Sequence, residues 1–403
     1  MMHAFLLAVC LSTTAVGKPW FVVNEDNDHF FKCDASLMTE RGLSDYVDYI
    51  CRGKVTHVFF CVNGQRTSYD SKTWEPIWAG LDDQARPDTA TRADGTHDRW
   101  AVNCKALFDA GIDPYAVWIR RCRERGVSPW LSMRMNDSHG MNIPNYFRGT
   151  TFCRTRRDLW ISPDGKTRYD CCLDFAKKDV RDYTMAHFRE LAERYEADGI
   201  EMDWMRMGRN FRLGHEKEDG HYLTEFMAEA RKVLDEIGSR RGRRIALGVR
   251  TCRDPDLALE KMGMAVAEWV KAGLVDLVVP SSFWAADPDI AVDKWIKMVS
   301  AADPSVRVLP CIDFITLRKG RETAMTPEMY RFVADKFYLA GAKGVYLFNL
   351  PYLGKHATDW YINKAKIVDY DVADVIFREG LAPETIRSRP QDAVESLHDF
   401  PCW

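Results

Sequence analysis

The sequence lacks any excess of charge of one sign: 56 Lys and Arg stand against 59 Asp and Glu, a formal net charge of -3. That balance leaves no basic footprint for nucleic acid. Long hydrophobic runs are missing as well. Past the N-terminus no segment approaches the roughly 20 apolar residues that cross a bilayer, so no membrane span is expected. Cysteine spacing motifs are absent although 12 cysteines are present. They are scattered, the neighbours Cys171 and Cys172 have no companion histidine motif, and a cysteine zinc site is therefore not expected. Cys61 and Cys311 lie inside apolar runs, where a small buried thiol is the plain explanation. No glycine-rich phosphate turn follows any candidate strand, which argues against a dinucleotide-binding sheet. Neither a metal nor an organic cofactor is expected.

What is present is alternation. Short apolar runs recur at Trp20 to Val23, Thr56 to Val62, Pro129 to Met133, Gly199 to Trp204, Ile245 to Val249, Leu277 to Pro280, Val308 to Ile312 and Gly344 to Phe348. Amphipathic stretches separate them. Val180, Thr184, Phe188, Leu191 and Tyr195 repeat at helical spacing, as do Leu223, Phe226, Met227, Ala230, Val233, Leu234 and Ile237. Alternating strands and helices predict a parallel sheet, and eight such units predict closure into a (β/α)₈ TIM barrel over residues 18–377. Residues 378–403 then form an extension packed on its outside. Long insertions, roughly 65–96 after strand two and 139–169 after strand three, fall where a barrel builds its active site. The apolar run Ala4 to Leu11, followed by Ser-Thr-Thr-Ala-Val-Gly17, predicts a signal peptide over residues 1–17 and a secreted or periplasmic protein. Oligomeric state leaves no trace in the sequence.

Strand four reads Asp198-Gly-Ile-Glu-Met-Asp-Trp-Met-Arg206. Side chains alternate across a strand, so Glu201, Asp203 and Met205 share one face while Ile200, Met202 and Trp204 take the other. Two carboxylates inside a barrel require either chemistry or a buried ion pair, for which Arg206 and Arg250 are available. The string is similar to the strand-four signature of the family 18 chitinases, D-G-x-D-x-D-x-E, except that Met205 occupies the place of the proton-donating Glu. That resemblance implies a barrel but not the chitinase mechanism. The chain more broadly resembles the family-10-like glycosyl hydrolases, bacterial barrel proteins of the DGIELDFMR type. Its matching strings are Cys61 to Thr67, Ser132 to His139, Asp198 to Arg206 and Tyr346 to Asn349. The resemblance implies glycoside hydrolysis, with a catalytically silent carbohydrate-binding barrel as the alternative.

Glycoside hydrolysis usually takes two carboxyl groups, one ionised and one protonated. Asp203 is the first candidate. Asp313, which ends the strand-seven run, is expected as its partner, with Glu201, Asp137 and Asp254 as competitors. Polar residues at other strand ends can bind substrate: Asn63 and Arg66 after strand two, Asn136, Asp137 and His139 after strand three, then Arg206, Arg250 and Asn349. Arginine also holds a carboxylate or sulfate in bidentate fashion, so the carbohydrate partner can be anionic. The chain is 12% aromatic, with 13 Trp, and flat rings hold the apolar faces of sugars. Trp284, after strand six, is the best placed for that. An amidohydrolase metal site would want paired histidines after strand one, where the chain reads Val23-Asn-Glu-Asp-Asn-Asp-His29. A Schiff-base aldolase would want a lysine late in strands five to seven, and none is there.

Overall fold

The computed structural model describes residues 19–26, 28–80, 96–143, 146–354 and 371–397. The expected signal peptide and the last residues of the tail lie outside them. The chain forms an α/β fold built on a curled parallel sheet of nine segments with flanking helices. Its strands are β1 (Trp20–Glu25), β2 (His57–Cys61), β3 (Ser128–Arg134), β4 (Gly199–Asp203), β5 (Ala246–Cys252), β6 (Leu277–Ser281), β7 (Arg307–Val308) and β8 (Cys311–Asp313). A hairpin of β9 (Ile315–Arg318) and β10 (Arg321–Ala324) follows, then β11 (Gly344–Phe348), which returns to the sheet. The order is β7-β6-β5-β4-β3-β2-β1-β11-β8.

All eight expected strands are found, with shifted ends. The expected strand seven is interrupted at Leu309 and Pro310, because proline has no N–H to give to a ladder. Its first half pairs with β6 and its second with β11. Bonds continue through the break: Leu309 N donates to Val278 O at 3.0 Å, and Tyr346 N donates to Pro310 O at 3.1 Å. The hairpin was not expected from the sequence.

Two apolar clusters explain the layering. Val22, Phe59, Trp130, Leu277, Val279, Leu309, Cys311, Tyr346 and Phe348 form one on the concave face. The alternate residues of the same strands, among them Val23, Val58, Leu131, Ile200 and Val278, join the helices in the larger one. The period of two in each strand thus sorts side chains between the interior and the helix layer. Trp130 lies flat on Phe59, with ring centres 4.6 Å apart, and fills the interior above two glycines. A Cβ on Gly199 would sit 2.6 Å from the Trp130 ring, and one on Gly248 would sit 3.3 Å from it.

The helices start where the sequence places caps. Asp113, Asp254 and Thr326 each accept a backbone N–H and each precedes a proline in the first turn, which relieves the orphan donors of a helix start. Asp254, a competitor for a catalytic role, therefore serves as the cap of Pro255–Met262 and pairs with Lys294 at 2.9 Å. The helices Lys178–Arg194 and His221–Arg241 match the expected amphipathic stretches. After Val372–Glu379 the chain is held by Arg331, which bonds Glu379 at 2.6 Å and the carbonyl of Pro390 at 3.0 Å.

Candidate functional site

The concave interior changes character from one end of the strands to the other. Near their N-terminal ends it is aromatic and apolar. One layer further along, Glu201 is fully buried, with Oε1 accepting hydrogen bonds from Ser132 at 2.7 Å and from Tyr346 at 2.9 Å. The Tyr346 hydroxyl accepts in turn from Asn24 at 2.9 Å. Burial, reinforced by the Asp203 charge, pushes the Glu201 carboxyl up to about 7. Its Oε2 has no hydrogen-bond partner among the described residues. Glu201 is thus a buried carboxyl whose surroundings favour the neutral form far more than those of an exposed glutamate.

At the C-terminal ends the interior becomes charged. Asp203, on the same face as Glu201, receives Arg250 Nη1 at 3.1 and 3.0 Å on its two oxygens. Both side chains are essentially inaccessible, at 1% and 0% exposure. Arg250 also donates to Ser281 Oγ at 2.8 Å, and its guanidinium carbon lies 3.9 Å from the centre of the Phe348 ring. Although burial works against the charge on Arg250, the Asp203 carboxylate more than restores it. Asp313, at the end of β8, is buried too and accepts the Phe314 N–H at 2.7 Å. Burial lifts its carboxyl to about 7 against the opposing pull of Arg250 and Arg206.

The remaining expected residues divide by what they touch. Asn63 is buried and committed to backbone, donating to Gly64 O and Arg134 O and accepting from Arg134 N at 3.2 Å, so it ties the ends of β2 and β3 together. Arg66 pairs with Glu75 at 2.9 Å inside its own loop. Asn136 bonds Leu173 through both amide ends and also donates to Arg209 O at 2.7 Å, which fixes two loops to each other. Asp137 accepts from His139 Nδ1 at 2.7 Å and from Arg134 at 3.2 Å. It is held well below the usual carboxylate range, since His139 and Arg134 outweigh its burial. His139 is pushed down by burial against the pull of Asp137. Arg206 lies over Phe348, 5.0 Å from the ring centre. Asn349 sits in the left-handed region at φ 57°, with Oδ1 buried and unpartnered among the described residues. Trp284 is half-buried and packs on the core beside β6.

Charged groups absent from the sequence reading join this end. Arg134 bonds Asp26 at 2.6 Å, and Asp28, after β1, pairs with Lys32 and with Arg148 at 3.5 Å. Asp26 and Asp28 belong to the acidic run after strand one. Among the described residues no group of His, Cys, Asp or Glu could hold a metal ion, and no helix is long and apolar enough to cross a membrane. The ten described cysteines are buried free thiols.

No family model and no curated protein matches the chain. Solved structures do resemble it at low identity. The glycoside hydrolase domain of PgaB from Bordetella bronchiseptica is 13% identical, with a TM-score of 0.49 over 91% of this chain and 99% of that one. α-L-Fucosidase isoenzyme 2 from Paenibacillus thiaminolyticus is 12% identical, with a TM-score of 0.46 over 82% of this chain but 46% of that one. The maltogenic α-amylase AmyB from Thermotoga neapolitana is 12% identical, with a TM-score of 0.46 over 91% and 76%. These similarities spread over several distinct glycoside hydrolase folds and single out none, including the two families that the strand-four string resembles.

Proposed function

We propose that the chain is an exported glycoside hydrolase whose curled sheet closes as a (β/α)₈ barrel and whose reaction centre lies between Asp203 and Asp313. The bonds that Leu309 and Pro310 make to either side support closure. One observation carries the functional reading: two buried carboxyl groups share the C-terminal end of the interior in opposite states of engagement. Asp203 is ion-paired with Arg250, whereas Asp313 accepts the backbone N–H of Phe314. Environments that set two acids apart are what acid and base assignments require. Asp313, lifted to about 7, is suited to protonate a leaving oxygen, and Asp203 to act as the charged partner that stabilises an oxocarbenium-like state. The buried Oδ1 of Asn349, unpartnered among the described residues, leaves hydrogen-bonding capacity that a sugar hydroxyl can satisfy.

A second reading has its own observation. The pairing of Asp203 with Arg250 occupies both carboxylate oxygens, which suits a silent carbohydrate-binding barrel equally well. Incubation of the purified chain with neutral and charged oligosaccharides, scoring both binding and release of reducing ends, separates the two. Release that is abolished in Asp313→Asn supports the hydrolase. Binding without release supports the binder, and neither binding nor release refutes both.

A further inference from the structure

The turn after β4 presents Arg206 and Arg209, and the loop after β3 brings Arg168 beside Arg209. The guanidinium carbons of Arg168 and Arg209 lie 5.1 and 5.3 Å from the centre of one ring, that of Tyr169. Arg206 shares the Phe348 ring with Arg250, at 5.0 and 3.9 Å respectively. Arg168, Arg206 and Arg209 are all half-buried. None of the three forms an ion pair with a carboxylate of the described residues, and the Nε of Arg206 is buried without a hydrogen-bond partner among them.

That arrangement differs from a solvated arginine face. Like charges gathered on shared rings repel, and partial burial removes the water that would screen them. Arg250 escapes this cost because the Asp203 carboxylate balances its charge; Arg168 donates to the Tyr169 hydroxyl at 3.3 Å, which carries no opposing charge, and Arg206 and Arg209 form no ion pair among the described residues. Nor is the turn loose. Asn136 N donates to Arg206 O at 3.1 Å, Asn136 O accepts from Met207 N at 3.0 Å, and the Asn136 amide donates to Arg209 O at 2.7 Å. The backbone carrying both arginines is therefore pinned to the end of β3 before any ligand arrives, which lowers the ordering cost of binding.

We infer that Arg206 and Arg209 bind an anionic substituent on the glycan, a carboxylate or a sulfate, next to the Asp203–Arg250 pair. The inference rests on the glycan reading above. A guanidinium fork matches the paired oxygens of either group and prefers them to a neutral hydroxyl. Neighbouring acids do not already cancel the patch: Asp203 is taken by Arg250, and Asp137 by Arg134 and His139. Asp313 feels the charge of Arg206 but forms no ion pair with it among the described residues, and burial favours its neutral form.

The test is calorimetric titration of the full chain with three oligosaccharides of matched length: neutral, uronate-bearing and sulfated. At least one charged ligand should bind about tenfold or more tightly than the neutral one, and which of them does so names the source of the anion. Arg206→Gln should remove most of that preference and Arg206→Lys restore part of it; Arg209→Gln serves as a second variant if Arg206→Gln does not fold. Equal or tighter binding of the neutral ligand overturns the inference and leaves the glycan reading standing. Inorganic sulfate separates the remaining outcomes by thermal melting. If no oligosaccharide binds, yet sulfate raises the melting temperature of the wild type and not of Arg206→Gln, the glycan reading falls and the anion site stands. If sulfate has no effect either, both fall.

Discussion

Replacing Asp203 with Asn keeps the shape of the side chain and strands Arg250 in the interior. Removing one member of a buried ion pair costs about 3–5 kcal/mol, because the survivor is left charged and desolvated. The surroundings place this substitution near the lower end. The amide oxygen still accepts from Arg250, the 2.8 Å bond to Ser281 survives, and the Phe348 ring remains under the guanidinium. Glu201 compensates as well: the Asp203 charge helps to push it up, so losing that charge lets Glu201 ionise more readily beneath Arg250. We expect a loss of about 3 kcal/mol. In a chain of this size that is about 3–4 °C in melting temperature.

Urea unfolding is the direct assay, since an unchanged slope with a lower midpoint reports stability alone. The double variant Asp203→Asn with Arg250→Met removes the stranded charge, and its loss should be smaller than the sum of the two single losses by about 1–3 kcal/mol. Release of reducing ends, measured beside it, should fall by orders of magnitude on the hydrolase reading. If Asp203→Asn unfolds within about 0.5 kcal/mol of the wild type, the ion pair is not the desolvated element described here.

Asp313 is lifted from an ordinary 3.8 to about 7, so between those values the folded chain keeps a proton that the unfolded chain has released. Its stabilising contribution is complete below about 4 and is lost as pH rises through about 7. Urea midpoints across that window should fall with pH in the wild type and fall less in Asp313→Asn, and glycan release should decline above about 7 as the general acid ionises. Gly199→Ala would drive a methyl group into the Trp130 ring, 2.6 Å from the ideal Cβ, and overpacking of this kind costs about 1–3 kcal/mol by urea unfolding. Arg331 is 5% exposed and bonds both Glu379 and the Pro390 carbonyl. Because Arg389 still bonds Glu379 at 2.6 Å, Arg331→Ala should destabilise by about 1–3 kcal/mol and speed limited proteolysis within 380–397, whereas cleavage at the wild-type rate would mean that other contacts hold the tail.

Legibility in the sequence follows the range over which each feature is decided. The strand cores are local, and the alternation that puts Glu201 and Asp203 on one face needs only the residues of β4. Strand ends are less local. β5 runs on to Cys252, beyond the expected Val249, because Arg250 and Thr251 are polar residues buried at the charged end, where hydrophobicity no longer marks a strand. The β9–β10 hairpin turns through Arg318-Lys319-Gly320-Arg321, which reads as solvated loop. The ion pairs at the mouth are not local at all: Arg134 and Asp26 lie 108 positions apart. Each alone is an ordinary charged residue, and only the curled sheet, in which β2 separates β3 from β1, brings them together.

Met205 shows how local and distant information combine. The strand-four string puts an apolar side chain where the chitinase signature has its acid, and the structure buries Met205 to 1% exposure while its N–H donates to Asp203 Oδ1 at 2.9 Å. The position therefore helps to orient the Asp203 carboxylate through the backbone and offers no proton. On the hydrolase reading the proton must come from another strand, and Asp313 on β8 is the buried carboxyl at this end whose surroundings keep it partly protonated at neutral pH. The sequence shows that the donor is missing from strand four. Asp313 is already legible in the sequence as a candidate partner; what the sequence does not carry is the burial that lifts its carboxyl, which arises once β8 is folded against β11, within reach of Arg250 and Arg206.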